Sequence, residues 1–134
     1  NRGHTYAQAE DAILRTAGRG IRVGVHMILG LPEETKEEMF LGAEMLSRQP
    51  INFIKLHQLQ ILKGTGMADE YKEHPEDFVV FTKAEDYVAL VREYRKHLRS
   101  DIKIERYVSS APSDLVKAPK WGLKPYEIKA LIEQ

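Results

Sequence analysis

Apolar and polar positions alternate along residues 21–30, IRVGVHMILG. Val23, Val25, Met27 and Leu29 share one face, and Gly24, His26, Ile28 and Gly30 share the other. Alternation over this length predicts a half-buried strand. Its small and polar side predicts a sheet surface that lets a ligand approach closely rather than a dry helix interface. Leu31-Pro32-Glu33-Glu34-Thr35 then turns the chain. Thr35 and Glu38 have capping-box spacing, which predicts a helix from about Lys36 to about Arg48 with Met39, Phe40, Ala43 and Leu46 on its buried side. Pro50 breaks this helix, and residues 53–62, FIKLHQLQIL, predict a second strand with Phe53, Lys55, His57 and Leu59 on one face. Strand, helix, strand is a βαβ unit, which gives parallel strands joined by a right-handed crossover. Both strands then end on the side where α/β folds bind ligands, because strand ends and helix N-termini there present backbone donors.

The flanking pattern extends this unit. Thr5 and Gln8 form another capping box, followed by Tyr6, Ala9, Ile13, Leu14 and Ala17 at helical spacing until Gly18 and Gly20. Lys63-Gly64-Thr65-Gly66 predicts a turn, too short to read as a phosphate loop, and a short helix over Met67 to Glu73. Thr82 and Glu85 form a third box, opening a helix from Lys83 to about Arg99 with the stripe Tyr87, Leu90, Val91, Tyr94 and Leu98. Ile102 to Val108 predicts a third strand, and Pro125 starts a last helix ending near Ile132.

With 134 residues and 43% apolar content, the chain has enough material for one domain with a real core. Its 20 basic and 20 acidic residues cancel, so bulk charge recruits neither nucleic acid nor membrane. Residues 92–124 nevertheless hold nine Lys and Arg against four Asp and Glu, which reads first as a solvated helix face. The absence of Cys excludes disulfides, thiolate metal sites and Cys nucleophiles for this chain. The histidines, at 4, 26, 57, 74 and 97, show no metal-ligand spacing, so no metal site is expected. No apolar run approaches a membrane span, and a cytoplasmic location without membrane contact is the expectation. The opening Asn1-Arg2-Gly3-His4-Thr5 reads as the middle of a loop, with further chain expected before it.

Three segments in order, NRGHT at residues 1–5, HMILGLPEET at 26–35 and IKLHQLQILKGTGM at 54–67, resemble the C-terminal half of a radical S-adenosylmethionine (radical SAM) enzyme core. The likeness covers nearly the whole chain. It is greatest for the bacterial iron–sulfur oxidoreductase branch related to the Elongator catalytic subunit and to oxygen-independent coproporphyrinogen oxidase. The resemblance implies an α/β fold, the C-terminal half of a partial (β/α)6 TIM-like barrel with parallel strands and covering helices. Residues 1–110 would form the barrel part and 111–134 a C-terminal extension. It also implies two cofactors, S-adenosylmethionine and a [4Fe-4S] cluster held by a three-cysteine motif in the first half of the barrel, outside this chain. The full-length parent would be an enzyme, and this chain alone, without Cys, would be inactive.

Carried over residue by residue, Arg2 matches an arginine that contacts SAM, where a guanidinium fork suits the carboxylate. His26, Ile28, Gly30 and Glu33 match a GxIxGxxE-like segment lining the adenosine, with His26 in place of the first Gly. A neutral imidazole can serve a ribose hydroxyl, and His26 reads equally as a hydrogen-bonded core histidine. The helix macrodipole alone explains a carboxylate at Glu33. Gln58 falls where relatives touch the adenine, while Lys55 and His57 would face the substrate. A lysine among apolar strand residues needs a counter-charge, from an anionic ligand or from a carboxylate in the first half of the barrel.

Two functions follow. One is a radical SAM fragment supplying SAM-binding and substrate-facing surface; relatives near the Elongator branch act on transfer RNA, so RNA or a small anionic molecule is the expected substrate class. The other is a stand-alone α/β module that binds a nucleotide or small anionic ligand without redox chemistry. The expected partner is the other half of the barrel, and in its absence the open strand edge is expected to make the fragment self-associate.

Overall fold

The computed structural model describes residues 3–134. Helix α1 (Tyr6–Ala17) leads into strand β1 (Gly24–Leu29), helix α2 (Lys36–Ser47) and strand β2 (Phe53–Gln58). A short strand β3 (Ile61–Leu62), helix α3 (Gly66–Glu73) and a single 3-10 turn (Pro75–Asp77) follow. Helix α4 (Ala84–His97), strands β4 (Lys103–Arg106) and β5 (Val116–Ala118) and helix α5 (Pro125–Glu133) complete the chain. Strands β1, β2 and β4 form a parallel sheet in that order.

The alternation along the first two strands produces the layers. Val23 and Leu29 at β1, with Ile54 and Leu56 of β2, are buried against Met39, Ala43 and Leu46 of α2 and against Tyr87, Leu90, Val91 and Tyr94 of α4. Each Val, Leu, Ile or Met side chain among these contributes roughly 1.5–3 kcal/mol on leaving water. Residues 111–134 share this core through Ile128 and Ile132 of α5. The other sheet face, bearing Gly24, His26, Ile28, Phe53, Lys55 and His57, carries no helix among the described residues and is exposed or half-buried.

Two helix starts follow the sequence closely. Thr5 caps α1 as a full capping box with Gln8, and Thr35 accepts the Glu38 N–H at α2. The third box does not form. Helix α4 begins one residue late, with Lys83 at the N-cap and no side-chain cap, so Glu85 falls one position short of the box geometry. Just upstream, the Trp121 indole N–H donates to the Phe81 carbonyl at 2.6 Å and Phe81 is buried.

The expected single strand over 53–62 is two strands. After Gln58 the chain leaves the parallel sheet, the Leu59 N–H donates to the Leu29 carbonyl at 2.9 Å, and Ile61 and Leu62 pair antiparallel with Ala118 and Val116. The expectation of parallel strands therefore holds for the main sheet and not for this small second one. At the opposite, N-terminal end of the sheet, Arg99 is a clamp: its Nη1 donates to the carbonyls of Ser47 (2.7 Å) and Gln49 (3.0 Å), and its Nη2 to that of Ile51 (2.8 Å). The Ser47 carbonyl is one that α2 leaves unsatisfied as it ends, and those of Gln49 and Ile51 belong to the link into β2.

Candidate functional site

The bare sheet face continues, at the C-terminal ends of β1, β2 and β4, into an open groove of about 750 Å³. His26, Ile28, His57 and Gln58 line it together with Arg106 and Ser109. Parallel register brings the histidines together: Ile28 pairs with His57 and His26 with Lys55, so the two imidazoles stand on the same face of adjacent strands, two residues apart in register. Nε2 of His57 lies 3.2 Å from Nδ1 of His26, with ring centroids 5.1 Å apart and planes inclined by 19°. One proton joins these two nitrogens, so the pair is a neutral donor–acceptor unit when each ring carries one N–H. The pKa of His57 is lowered, first by partial burial and then by the charges of His26, Arg106 and Lys55.

Among the described residues, Gln58 is the one polar residue of the buried set. Its carbonyl oxygen accepts the Ser109 N–H at 2.9 Å and its Nε2 donates to the Ser109 carbonyl at 3.0 Å, reproducing a strand pairing with a side chain. This fastens the loop after β4 to the end of β2 and leaves the second N–H of the carboxamide without a partner in this exchange.

Gly30 and Glu33 sit apart from the groove. Gly30 has φ +87, and a Cβ there would stand 2.8 Å from the Phe81 ring and 3.2 Å from the Val79 carbonyl, so glycine is required by the strap of residues 79–81. The N–H groups of Gly30 and Leu31 both point at Oε1 of Glu34, at 3.1 and 3.3 Å. These donors, expected to serve a ligand, are engaged within the loop. Glu33 is exposed with φ +63 and donates its N–H to the Asp77 carbonyl. Gly24, whose smallness suggested close approach of a ligand, lies under the Phe53 ring of its strand partner. Arg2 lies outside the described residues.

Sequence reading missed Arg106 and Ser109. The signal for Ser109 was present in the run Ser109-Ser110-Ala111-Pro112-Ser113, which is loop composition directly after a strand. Arg106 had no such signal, because a β-bulge sets its direction. Among the described residues, one group of three metal-ligating side chains comes close together, His74, Glu76 and Asp77, all exposed and away from the groove. No helix among the described residues is long and apolar enough to cross a membrane.

Residues 51–134 match the family model described as the Radical_SAM C-terminal domain. The chain is 28% identical over 134 residues to the Bacillus subtilis (strain 168) protein YtqA, covering 100% of this chain and 41% of that protein. It is 33% identical over 129 residues to Methanocaldococcus jannaschii MJ0486, covering 92% of this chain and 38% of that protein. With Escherichia coli (strain K12) YhcC the identity is 31% over 121 residues, covering 90% and 38%. The chain thus spans about two-fifths of the length of these relatives. The solved structure of archaeal Methanocaldococcus infernus Elp3 with an N-terminal deletion superposes with a TM-score of 0.79 at 15% identity, covering 99% of this chain and 31% of that one. At that identity the likeness speaks for the fold, a parallel α/β unit with one helix-covered and one bare sheet face. The chain belongs to the radical SAM family, of which it carries the C-terminal half of the core.

Proposed function

We propose that this chain supplies SAM-binding and substrate-facing surface to a radical SAM enzyme whose cluster is held elsewhere in a longer parent protein. The observation that carries the reading is the convergence of His26, Ile28, His57 and Gln58 on one groove at the C-terminal ends of parallel strands, where α/β folds place ligands. The groove's volume, about 750 Å³, falls in the ~300–1,000 Å³ range of cofactor sites.

The residues present fit SAM and do not fit the cluster. His26, its Nδ1 facing His57, offers its other ring nitrogen to a ribose hydroxyl, Ile28 gives an apolar contact, and Gln58 its second N–H for an adenine ring nitrogen. SAM, when bound, supplies hydrogen-abstraction chemistry. The chain has no Cys, so it offers no thiolate to iron, and nothing in its own residues carries the redox step. What these residues do is bind, orient and wall off the ligand. On the same sheet face Lys55 and His57 would meet the substrate, and a lysine there favours an anionic one, RNA included.

Isothermal titration of SAM into the chain tests this. A Kd of about 10 µM that weakens roughly tenfold in His26→Ala is the expected result. No heat at about 1 mM SAM, or an affinity unchanged by that substitution, would overturn the assignment of the groove.

A further inference from the structure

The register of β2 against β4 slips between Ile54 and Lys55: Ile54 pairs with Ile104, but Lys55 pairs with Arg106. One extra residue, Glu105, is accommodated in β4. Without the slip Lys55 would pair with Glu105, an opposite charge on the adjacent strand. With it a lysine stands beside an arginine on strands ~4.8 Å apart. Neither Lys55, Arg106 nor Glu105 takes part in a salt bridge among the described residues. Like charges placed side by side disfavour the sheet, and a sequence that breaks this local rule does so where function asks for it.

We propose that Lys55 and Arg106, with the His57 imidazole beside them, form a subsite for a phosphate group of the substrate. The chemistry matches: Arg106 brings a fork of donors suited to two phosphate oxygens, and Lys55 brings a mobile point charge. His57 adds one ring N–H when its other nitrogen faces His26. Partial burial and then His26 lower the pKa of His57, and Arg106 and Lys55 lower it further. Arg106 lines the groove itself, and Lys129 of α5 lines its opposite rim, 4.0 Å from Glu133. Glu105 also lines the groove and opposes an anion there, which limits the site to the β2 side. A metal ion between the two histidines is disfavoured by the same two cations.

The inference rests on the bare sheet face being the one that meets the substrate, as proposed above. Its test is titration with inorganic pyrophosphate, followed by the amide and imidazole NMR shifts of residues 55, 57 and 106. The expected result is saturable binding that weakens about tenfold or more in the Lys55→Gln, Arg106→Gln double variant. A short single-stranded RNA competing with pyrophosphate would place the phosphate in a polynucleotide; adenosine diphosphate competing where RNA does not would place it in a small molecule. Either supports the subsite. Shifts that do not saturate, or that survive in the double variant, overturn it. So does silence of these residues in the longer parent protein, where a carboxylate from the rest of the barrel would then be the partner. Loss of SAM binding in His26→Ala without change in pyrophosphate binding, or the reverse, separates failure of this inference from failure of the SAM assignment.

Discussion

His57 and His26 face each other across β1 and β2 with Nε2 and Nδ1 3.2 Å apart, a distance at which the two rings share one proton. Adding a second proton sets two N–H groups against each other and adds positive charge beside Lys55 and Arg106. Partial burial and these neighbours hold the His57 pKa below its ordinary value.

The sign of the stability effect follows. Folded His57 takes up its proton at lower pH than the unfolded chain, so acidification from about pH 6.5 downward favours the unfolded state. Replacing His57 with Gln removes this contribution. Urea midpoints at about pH 7.5 and about pH 5 should differ less in His57→Gln than in the parent chain. An equal or larger difference would show that the drop arises elsewhere.

Gly30 and Phe81 form a second checkable pair. Gly30→Ala places a Cβ 2.8 Å from the Phe81 ring at φ +87, and the expected loss is about 2 kcal/mol of unfolding free energy. Shortening Phe81 to Leu in the same chain relieves the contact and leaves the backbone cost, so the double variant should recover only part of the loss. Full recovery would mean that the backbone conformation at Gly30 carries no strain.

Gln58 makes a third case. Gln58→Leu leaves the Ser109 N–H and carbonyl without partners, at a cost of about 1–3 kcal/mol. Gln58→Glu keeps the acceptor but sets a carboxylate oxygen against the Ser109 carbonyl. Protonation restores the donor. Thermal melts of Gln58→Glu should therefore show its deficit, relative to the parent chain at the same pH, shrinking as the pH is lowered toward about 4. A deficit independent of pH would contradict the pairing.

The sequence read furthest where a local pattern decides. The faces of β1 and β2, the caps at Thr5 and Thr35 and the stripe of α4 all come from periodicity and neighbouring residues. The juxtaposition of His26, His57 and Gln58 follows from pairing two correctly placed strands. Reading stopped where distant residues decide. Nothing at Leu59 marks the exit from the sheet, because the attraction comes from Val116 and Ala118. Lys83 stands at the N-cap in place of Thr82, directly after a Phe81 whose carbonyl Trp121 engages from the far end of the sequence. Arg106 was unreadable for the same reason: its direction depends on a one-residue slip against β2.

Arg99 has a mechanical consequence. Its guanidinium pins the end of α2 and the approach to β2 from the far side of the sheet, at the pole opposite the groove. The other pole has its own fastening, the two-way pairing of Gln58 with Ser109, so β2 is tied to the segment that enters β4 at one end and to the segment that leaves it at the other, like a plank held by a bolt at each end.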